Sequence, residues 1–492
     1  MRLYLIGHNY RYAAEQVMLT LFPKEKPEYP EGPPEGDRAE ISLRRGKTYV
    51  TAVCRLYLDG RTHTGSARVL KSALTDRLME NRLLQRIVKL AFYRAGIKSG
   101  LPKPVWGSLT GIRPGKIVTA YLESGMSETQ ALARFCREYD VSREKALLCL
   151  HTARAGLRVK GSLGPRDICL YIGIPFCPSR CAYCSFVSQA VEKSMKLIPP
   201  FLEALHRDIE ATAKVARELG LRVISVYMGG GTPTTLSAKQ LDELCSKLAA
   251  AFDLSAVRDY SIEAGRPDTI TEEKLSVMCR RGVNRVSVNP QTMEDSVLEA
   301  IGRRHTAADI VEAIEKVRMF PGLTVNMDLI AGLPGDTPEG FSRTLDRVLS
   351  LDPENITVHT LSLKKGSKIT VEGAALPPAE DVGVMINCAQ EKLQAAGYAP
   401  YYLYRQKFIS GGFENVGWAK PGFENLYNIC IMEELCTILA MGGGASTKLV
   451  TGTGRIERVF APKYSFEYIS KIDKVTSDKT KIKEFYDGLQ SE

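Results

Sequence analysis

The chain has 492 residues, 44% of them hydrophobic, and 66 Lys plus Arg against 56 Asp plus Glu, a formal net charge of +10. That length allows two or three domains with sizeable cores. No apolar run reaches the length of a membrane span, and Leu3–Gly7 is too short for a secretory signal, so a cytoplasmic protein without a membrane span is expected. The twelve cysteines then imply free thiols in a reducing compartment rather than disulfides.

Residues 1–160 carry a pattern of their own. Arg2–Gly7 reads as a short strand, and a Pro- and Glu-rich loop covers Pro27–Gly36. Glu40–Arg44, Thr48–Leu58 and Thr62–Val69 alternate like an antiparallel sheet turned at Gly46 and Gly60. Helical periodicity follows over Leu74–Ala95 and Ser127–Leu157, on either side of the Pro/Gly-rich passage Leu101–Gly115. An N-terminal α+β module results, and its function is not readable. Gly111–Lys116 imitates a phosphate loop, but Thr110 stands where glycine is required and Ile117 where Ser or Thr is. The basic residues lack aromatic interleaving, so no nucleic-acid partner is expected.

From Asp167 to about residue 375, short β-branched runs alternate with amphipathic helices. Strands are expected at Ile168–Ile174, Val223–Met228, Tyr260–Glu263, Arg285–Val288, Thr324–Ile330 and Ile356–Leu361. Helices are expected at Pro200–Leu219, Ala238–Phe252, Glu272–Arg281, Ala307–Met319 and Pro338–Leu349. Such alternation predicts parallel strands joined by right-handed crossovers, an α/β domain over residues 161–375. Residues 376–492 read as mainly helical with a Gly-rich break at Gly442–Gly444, a C-terminal domain covering the substrate side.

The most specific signal lies just after the first of these strands. Cys177, Cys181 and Cys184, with three and then two residues between them, are close enough to hold three corners of a [4Fe-4S] cluster and leave the fourth iron open. Structural zinc wants four closed ligands, yet no second Cys or His pair is near, and the six histidines are scattered singly. Unrelated buried thiols are the other reading, and the spacing arises by chance in about one such chain in a hundred. The remaining nine cysteines read as small buried hydrophobes with no role.

With Tyr171–Cys177 before the triplet and Tyr183 inside it, the segment resembles the opening of a radical S-adenosylmethionine (SAM) enzyme. Gly229–Thr234, Glu263 in Ile-Glu-Ala-Gly-Arg-Pro, Asn289-Pro290-Gln291 and Asp328 in Asn-Met-Asp-Leu-Ile-Ala-Gly-Leu-Pro follow in order. Over residues 168–365 the chain is similar to the oxygen-independent coproporphyrinogen III dehydrogenases (oxidases), in a branch with a long N-terminal extension. The resemblance implies a partial (β/α)6 barrel with its chemistry at the C-terminal strand ends. It implies cluster ligation by Cys177, Cys181 and Cys184. It also implies SAM binding by Tyr171, Tyr183, Gly230, Gly231, Thr232, Glu263, Gln291, Arg303 and Asp328. Consecutive glycines can present main-chain groups to a ligand at close range, and a strand-end carboxylate can accept from an amino group or ribose hydroxyls, or cap the next helix.

The implied reaction is radical decarboxylation of coproporphyrinogen III propionates to vinyl groups, giving protoporphyrinogen IX. Its implied partners are the tetrapyrrole and a reductant such as flavodoxin or ferredoxin. Arg266, Arg303, Arg304, Arg405 and Lys407 are the cations available for the substrate carboxylates, each with an ordinary salt bridge as its alternative. Two positions depart from the family pattern. Phe186 stands where the dehydrogenases carry a further cysteine, and Gly173 where relatives commonly have His. Haem chaperones share the Phe. A haem-binding trafficking protein that keeps the cluster, or a haem-utilisation radical SAM enzyme, therefore remain alternatives.

Overall fold

The computed structural model describes residues 1–184, 189–190, 194–363, 366–406, 410–452 and 454–489. Two compact units are present, residues 1–150 with 411–413, and residues 151–410 with 414–492.

In the first unit, β1 (Arg2–Ile6), β2 (Arg38–Arg45), β3 (Tyr49–Leu58) and β4 (Arg61–Leu70) form one sheet in sequence order, with β1 parallel to β2 and the other pairs antiparallel. Val50, Ala52, Cys54 and Leu56 alternate along β3 and are fully buried. They share a core with Leu84, Ile87, Val88 and Ala91 of the helix Arg77–Lys98, and with Ala14, Val17 and Met18 of the helix Arg11–Leu21. Asp76 caps the longer helix by accepting from Leu78 N and Met79 N. The stretch read as one helix from Ser127 breaks at Asp140, whose φ of 55° is left-handed, and resumes at Arg143.

The second unit is built on a mixed sheet. Its centre is β5 (Asp167–Ile174), β6 (Arg222–Gly230), β7 (Asp259–Glu263), β8 (Arg285–Ser287), β9 (Thr324–Ala331) and β10 (Asn355–Thr360), each parallel to its sequence neighbour. These strands and the helices between them match the sequence expectation to within two residues. Near-continuous burial along β5 and β6 explains their long apolar runs, because helices cover a parallel sheet.

Residues 376–492 hold their expected helices, and also five strands that extend this sheet at both edges. Beyond β10 come β12 (Glu414–Ala419) and then β11 (Ala399–Arg405), both antiparallel pairings. Beyond β5 come β13 (Thr437–Gly442), parallel to it, then β14 (Ser446–Val450) and β15 (Ile456–Phe460). The sheet order is therefore β11-β12-β10-β9-β8-β7-β6-β5-β13-β14-β15. Since β5 and β10 are not neighbours, the barrel is open.

Buried charges pin these additions in place. Asp208, fully buried on the helix Ile198–Glu218, pairs with Lys479 at 2.7 Å and accepts from Tyr468 (2.7 Å) and Gly442 N (3.1 Å), joining the C-terminal helices to the barrel. At the N-terminal end of β7, Asp259 meets Arg285 at 3.2 Å and accepts from Leu426 N at 2.9 Å. Asn425 caps the helix Leu426–Glu433 and donates to Ser261 at 2.9 Å, so this helix lies against the face of the sheet that carries Tyr227. No helix among the described residues is long and apolar enough to cross a membrane.

Candidate functional site

The cysteine loop leaves β5 and is gripped by the glycine run that leaves β6. Gly231 N donates to Ile174 O at 2.8 Å and Thr232 N to Phe176 O at 2.7 Å. A Cβ on Gly231 would lie 2.4 Å from Phe176 O, so only glycine permits this approach. Thr232 Oγ1 donates to Cys177 Sγ at 3.5 Å, and Cys184 N closes a turn onto Cys181 O at 3.1 Å.

Two buried arginines hold the rest of the loop. Arg266, 4% exposed, donates to Cys181 Sγ at 3.0 Å and to Ser179 Oγ. Arg303, 8% exposed, donates to Tyr183 Oη at 3.0 Å, Gly265 O at 3.3 Å and Asn289 O at 2.5 Å, tying the loops after β7 and β8 to the cysteine loop. Burial pushes the Cys181 thiol up, but the Arg303 and Arg266 cations outweigh it and bring the thiol below its ordinary value. Both guanidinium groups are buried against this loop rather than open to substrate carboxylates, although Arg266 also pairs with the half-exposed Asp268 at 3.8 Å. Lys407 and Phe186 lie outside the described residues.

Beside the loop, the sheet face carries a polar row. Glu263 accepts from Tyr227 Oη at 2.5 Å and lies across Gly229, where a Cβ would meet its carboxyl carbon at 2.8 Å. Burial raises the Glu263 carboxyl to about 7, against the hydrogen bond from Tyr227, with the Asp328 carboxylate adding to the rise. Asp328 accepts from Asn326 at 2.9 Å, and its main chain pairs with Gln291, whose N donates to Asp328 O at 2.9 Å. Gln291 holds a left-handed φ of 68°, an uncommon conformation for a buried side chain that marks a constrained turn. Tyr171 stacks on Tyr227 (6.3 Å) and Tyr427 (6.1 Å), and the space a Cβ on Gly230 would take is 3.2 Å from its hydroxyl.

The residues singled out from sequence thus fall into two adjoining groups. Cys177, Cys181, Cys184, Tyr183, Thr232 and Arg303 form one, and Tyr171, Gly230, Glu263, Gln291 and Asp328 the other, with Gly231 at the seam. Sequence reasoning missed four residues. His359 on β10 lies 4.0 Å from Asp328 and 3.4 Å from Tyr404 Oη. Tyr227 could have been found by its two-residue step from Gly229, whereas Tyr427 reaches the site from a distant helix and carries no local signal. His305 is buried with no hydrogen-bond partner at either ring nitrogen among the described residues, and burial and then Arg303 and Arg266 hold it neutral, down to about 3.

The other cysteines are not uniform. All twelve are free thiols, but the buried reading fails at Cys279, which is exposed next to the buried Val277 and Met278, and holds only in part at Cys136 and Cys388, which are partly buried. Cys169, Cys430 and Cys436 are buried together, with sulfurs all within 4.8 Å of one another.

An open parallel barrel with three thiols on the loop after its first strand defines the radical SAM class, and residues 171–348 match the Radical SAM superfamily model. The chain is 40% identical over 385 residues to the oxygen-independent coproporphyrinogen-III oxidase-like protein HemZ of Bacillus subtilis, covering 77% of each protein. It is 31% identical over 264 residues to the haem chaperone HemW of Bacillus subtilis, covering 53% of this chain and 65% of that one. Coproporphyrinogen III oxidase (HemN) from Escherichia coli shares the fold, with a TM-score of 0.52 and 24% identity over 66% of this chain and 73% of that one. The chain belongs to the oxygen-independent coproporphyrinogen-III oxidase-like family of radical SAM proteins. Its cofactors are a [4Fe-4S] cluster and SAM. The donor set suits them: three soft, half-buried thiols on one loop, with the central one biased toward thiolate.

Proposed function

We propose that the protein decarboxylates the propionates of coproporphyrinogen III oxidatively to vinyl groups, giving protoporphyrinogen IX in anaerobic porphyrin and haem biosynthesis. The observation that carries this reading is the adjacency of the arginine-held thiol loop to the Glu263–Asp328 row on one set of strand ends. Cys177, Cys181 and Cys184 hold the cluster in this reading. Tyr171, Tyr183, Gly230, Gly231, Thr232, Glu263, Gln291, Arg303 and Asp328 surround SAM. When bound, the pair supplies one-electron cleavage of SAM to a radical that takes hydrogen from unactivated carbon.

The chain's own residues do the rest. Arg266 and Arg303 favour the thiolate form that a metal ligand requires. Glu263, poised near neutrality, gives up its proton as it accepts from a cationic amino group. Asp328 and His359 supply polar partners beyond it. The stacked Tyr171, Tyr227 and Tyr427 keep water from the site's floor. In this reading the protein works in the cytoplasm with a flavodoxin- or ferredoxin-type reductant.

The test is an anaerobic assay of reconstituted protein with SAM, a reductant and coproporphyrinogen III, using Cys177→Ala as the control. Release of carbon dioxide with a divinyl product supports the reading. A second reading, haem trafficking, is favoured by the likeness to the haem chaperone. Stoichiometric haem capture without product would establish it instead. SAM cleavage coupled to haem breakdown would indicate haem utilisation.

A further inference from the structure

We propose that Cys169, Cys430 and Cys436 form a second, separate metal site, for a single Cu(I) ion. Cys169 lies on β5, Cys430 on the helix Leu426–Glu433, and Cys436 just before β13, so the fold brings Cys169 to a pair of thiols from the C-terminal part of the chain. Cys169 Sγ and Cys436 Sγ are 3.7 Å apart, and all three sulfurs lie within 4.8 Å of one another. Three sulfurs roughly 2.3 Å from one central ion in a plane would stand roughly 4.0 Å apart, within the 4.8 Å that bounds this trio. An iron-sulfur cluster binds each thiolate to a different iron and spreads the sulfurs further, so the gap suits one atom.

The ligand chemistry selects the ion. Thiolates favour soft cations, Cu(I) and Zn(II) among them. Structural zinc closes with four protein ligands. Among the described residues, no further Cys, His, Asp or Glu joins the three. The packing around them is largely apolar, with Ile224, Leu426, Tyr427 and Ile438 and, against these, Ile431 and Leu435, so a zinc ion here would lack the fourth protein ligand that closes its structural sites. Cu(I) accepts three sulfurs. Binding releases thiol protons, and the Arg258 cation near Cys430 offsets part of the buried negative charge, against the Asp167 carboxylate near Cys436.

The site has a structural consequence. An ion there would tie β5, β13 and the helix Leu426–Glu433 together directly behind the tyrosine stack. Tyr427, three residues before Cys430, lies 4.5 Å from Tyr227, which donates to Glu263. Metal occupancy would therefore firm the platform under Glu263 without touching the cysteine loop.

The test uses the full chain with its cluster reconstituted, equilibrated anaerobically with Cu(I) buffered by bicinchoninate. Copper and iron are counted by plasma mass spectrometry, and the copper environment is read by X-ray absorption. One copper per chain, three sulfur scatterers and an unchanged iron content are expected. Cys169→Ala and Cys430→Ala should lose the copper, while Cys245→Ala, altering a buried thiol elsewhere, should keep it. Should the alanine variants fail to fold, Cys430→Ser replaces them, and the sulfur count on the unsubstituted chain stands without any variant. No retained copper, copper retained equally by Cys430→Ala or Cys430→Ser, or copper gained as iron is lost would overturn the proposal. So would four-coordinate zinc taken in preference.

Discussion

Two groups of three thiols share one unit of this molecule and are opposites in every other respect. Cys177, Cys181 and Cys184 are adjacent in sequence, half-buried, and meet two arginines and a threonine hydroxyl. Cys169 is remote in sequence from Cys430 and Cys436, and the three are buried among aliphatic and tyrosine side chains. Contiguous thiols on a loop can be approached by a large cluster, and cations beside them favour the charged form. Gathered thiols in an apolar core have room for one small ion at most. Local spacing reveals the first kind of site, and only the tertiary fold reveals the second.

The sharpest way to break this contrast is to remove one thiol from each group. Cys177→Ala should abolish cluster iron, acid-labile sulfide and SAM cleavage together, whereas Cys169→Ala should leave the iron content of the reconstituted protein intact. Iron and sulfide assays on both variants check this. Equal iron loss from both would mean that the two groups are not separate.

Next in size is the effect of Glu263, the charge that the loop's arginines do not reach. Its folded value of about 7 lies above the ordinary 4.5, so the folded state holds a proton that the unfolded state releases. Below pH 4.5 both states are protonated and the group costs nothing. Stability should fall as pH rises from 4.5 to about 7, by at most about 3 kcal/mol, since the carboxyl is only half-buried. Glu263→Gln should remove that slope, making the SAM-free protein more stable than the parent at pH 8 and no different at pH 4. Denaturant unfolding at the two pH values decides it.

Arg266 tests the loop's electrostatics directly. Arg266→Met keeps much of the buried stem and deletes the donor to Cys181, so cluster retention should weaken about 10–100-fold, as for other groups that support a metal ligand. In cluster-free protein the Cys181 thiol should also titrate higher, seen as slower alkylation at neutral pH. Unchanged alkylation would show that Arg303 alone sets the thiol.

How much of this was legible follows from which signals are local. The six parallel strands and their helices were readable because each carries its own apolar run and covering helix, and the triplet and Gly229–Gly231 because spacing alone marks them. The edge strands were not. Thr437–Gly442 is buried on every residue, and a short apolar run in a helical neighbourhood has no period that separates strand from helix. It becomes a strand by pairing with Ile168–Gly173, far away in sequence. Arg266 and Arg303 looked like surface cations for the same reason, since nothing near them in sequence shows that the cysteine loop encloses them.

The smallest effect concerns the layer between the two thiol groups. Tyr427 stacks at 4.5 Å on Tyr227 and 6.1 Å from Tyr171, on a helix whose next turn carries Cys430. Replacing it by leucine keeps an apolar side chain in the gap but deletes the ring contacts, which are worth about 0.5–1.5 kcal/mol beyond area burial. Tyr427→Leu should therefore lower stability by about 1 kcal/mol while leaving cluster iron unchanged, because its ring packs on Tyr171 and Tyr227 rather than on the loop of Cys177–Cys184. Its stronger signature should be in SAM binding. Tyr227 is held between Tyr427 and the Glu263 carboxyl, so a Tyr227 free to tilt would donate less well and let Glu263 rise further above 7. SAM affinity measured against pH should then reach its plateau at a higher pH than in the parent. A parallel loss of iron would instead mean that the stack supports the cysteine loop itself, and the separation of the two thiol groups would fail.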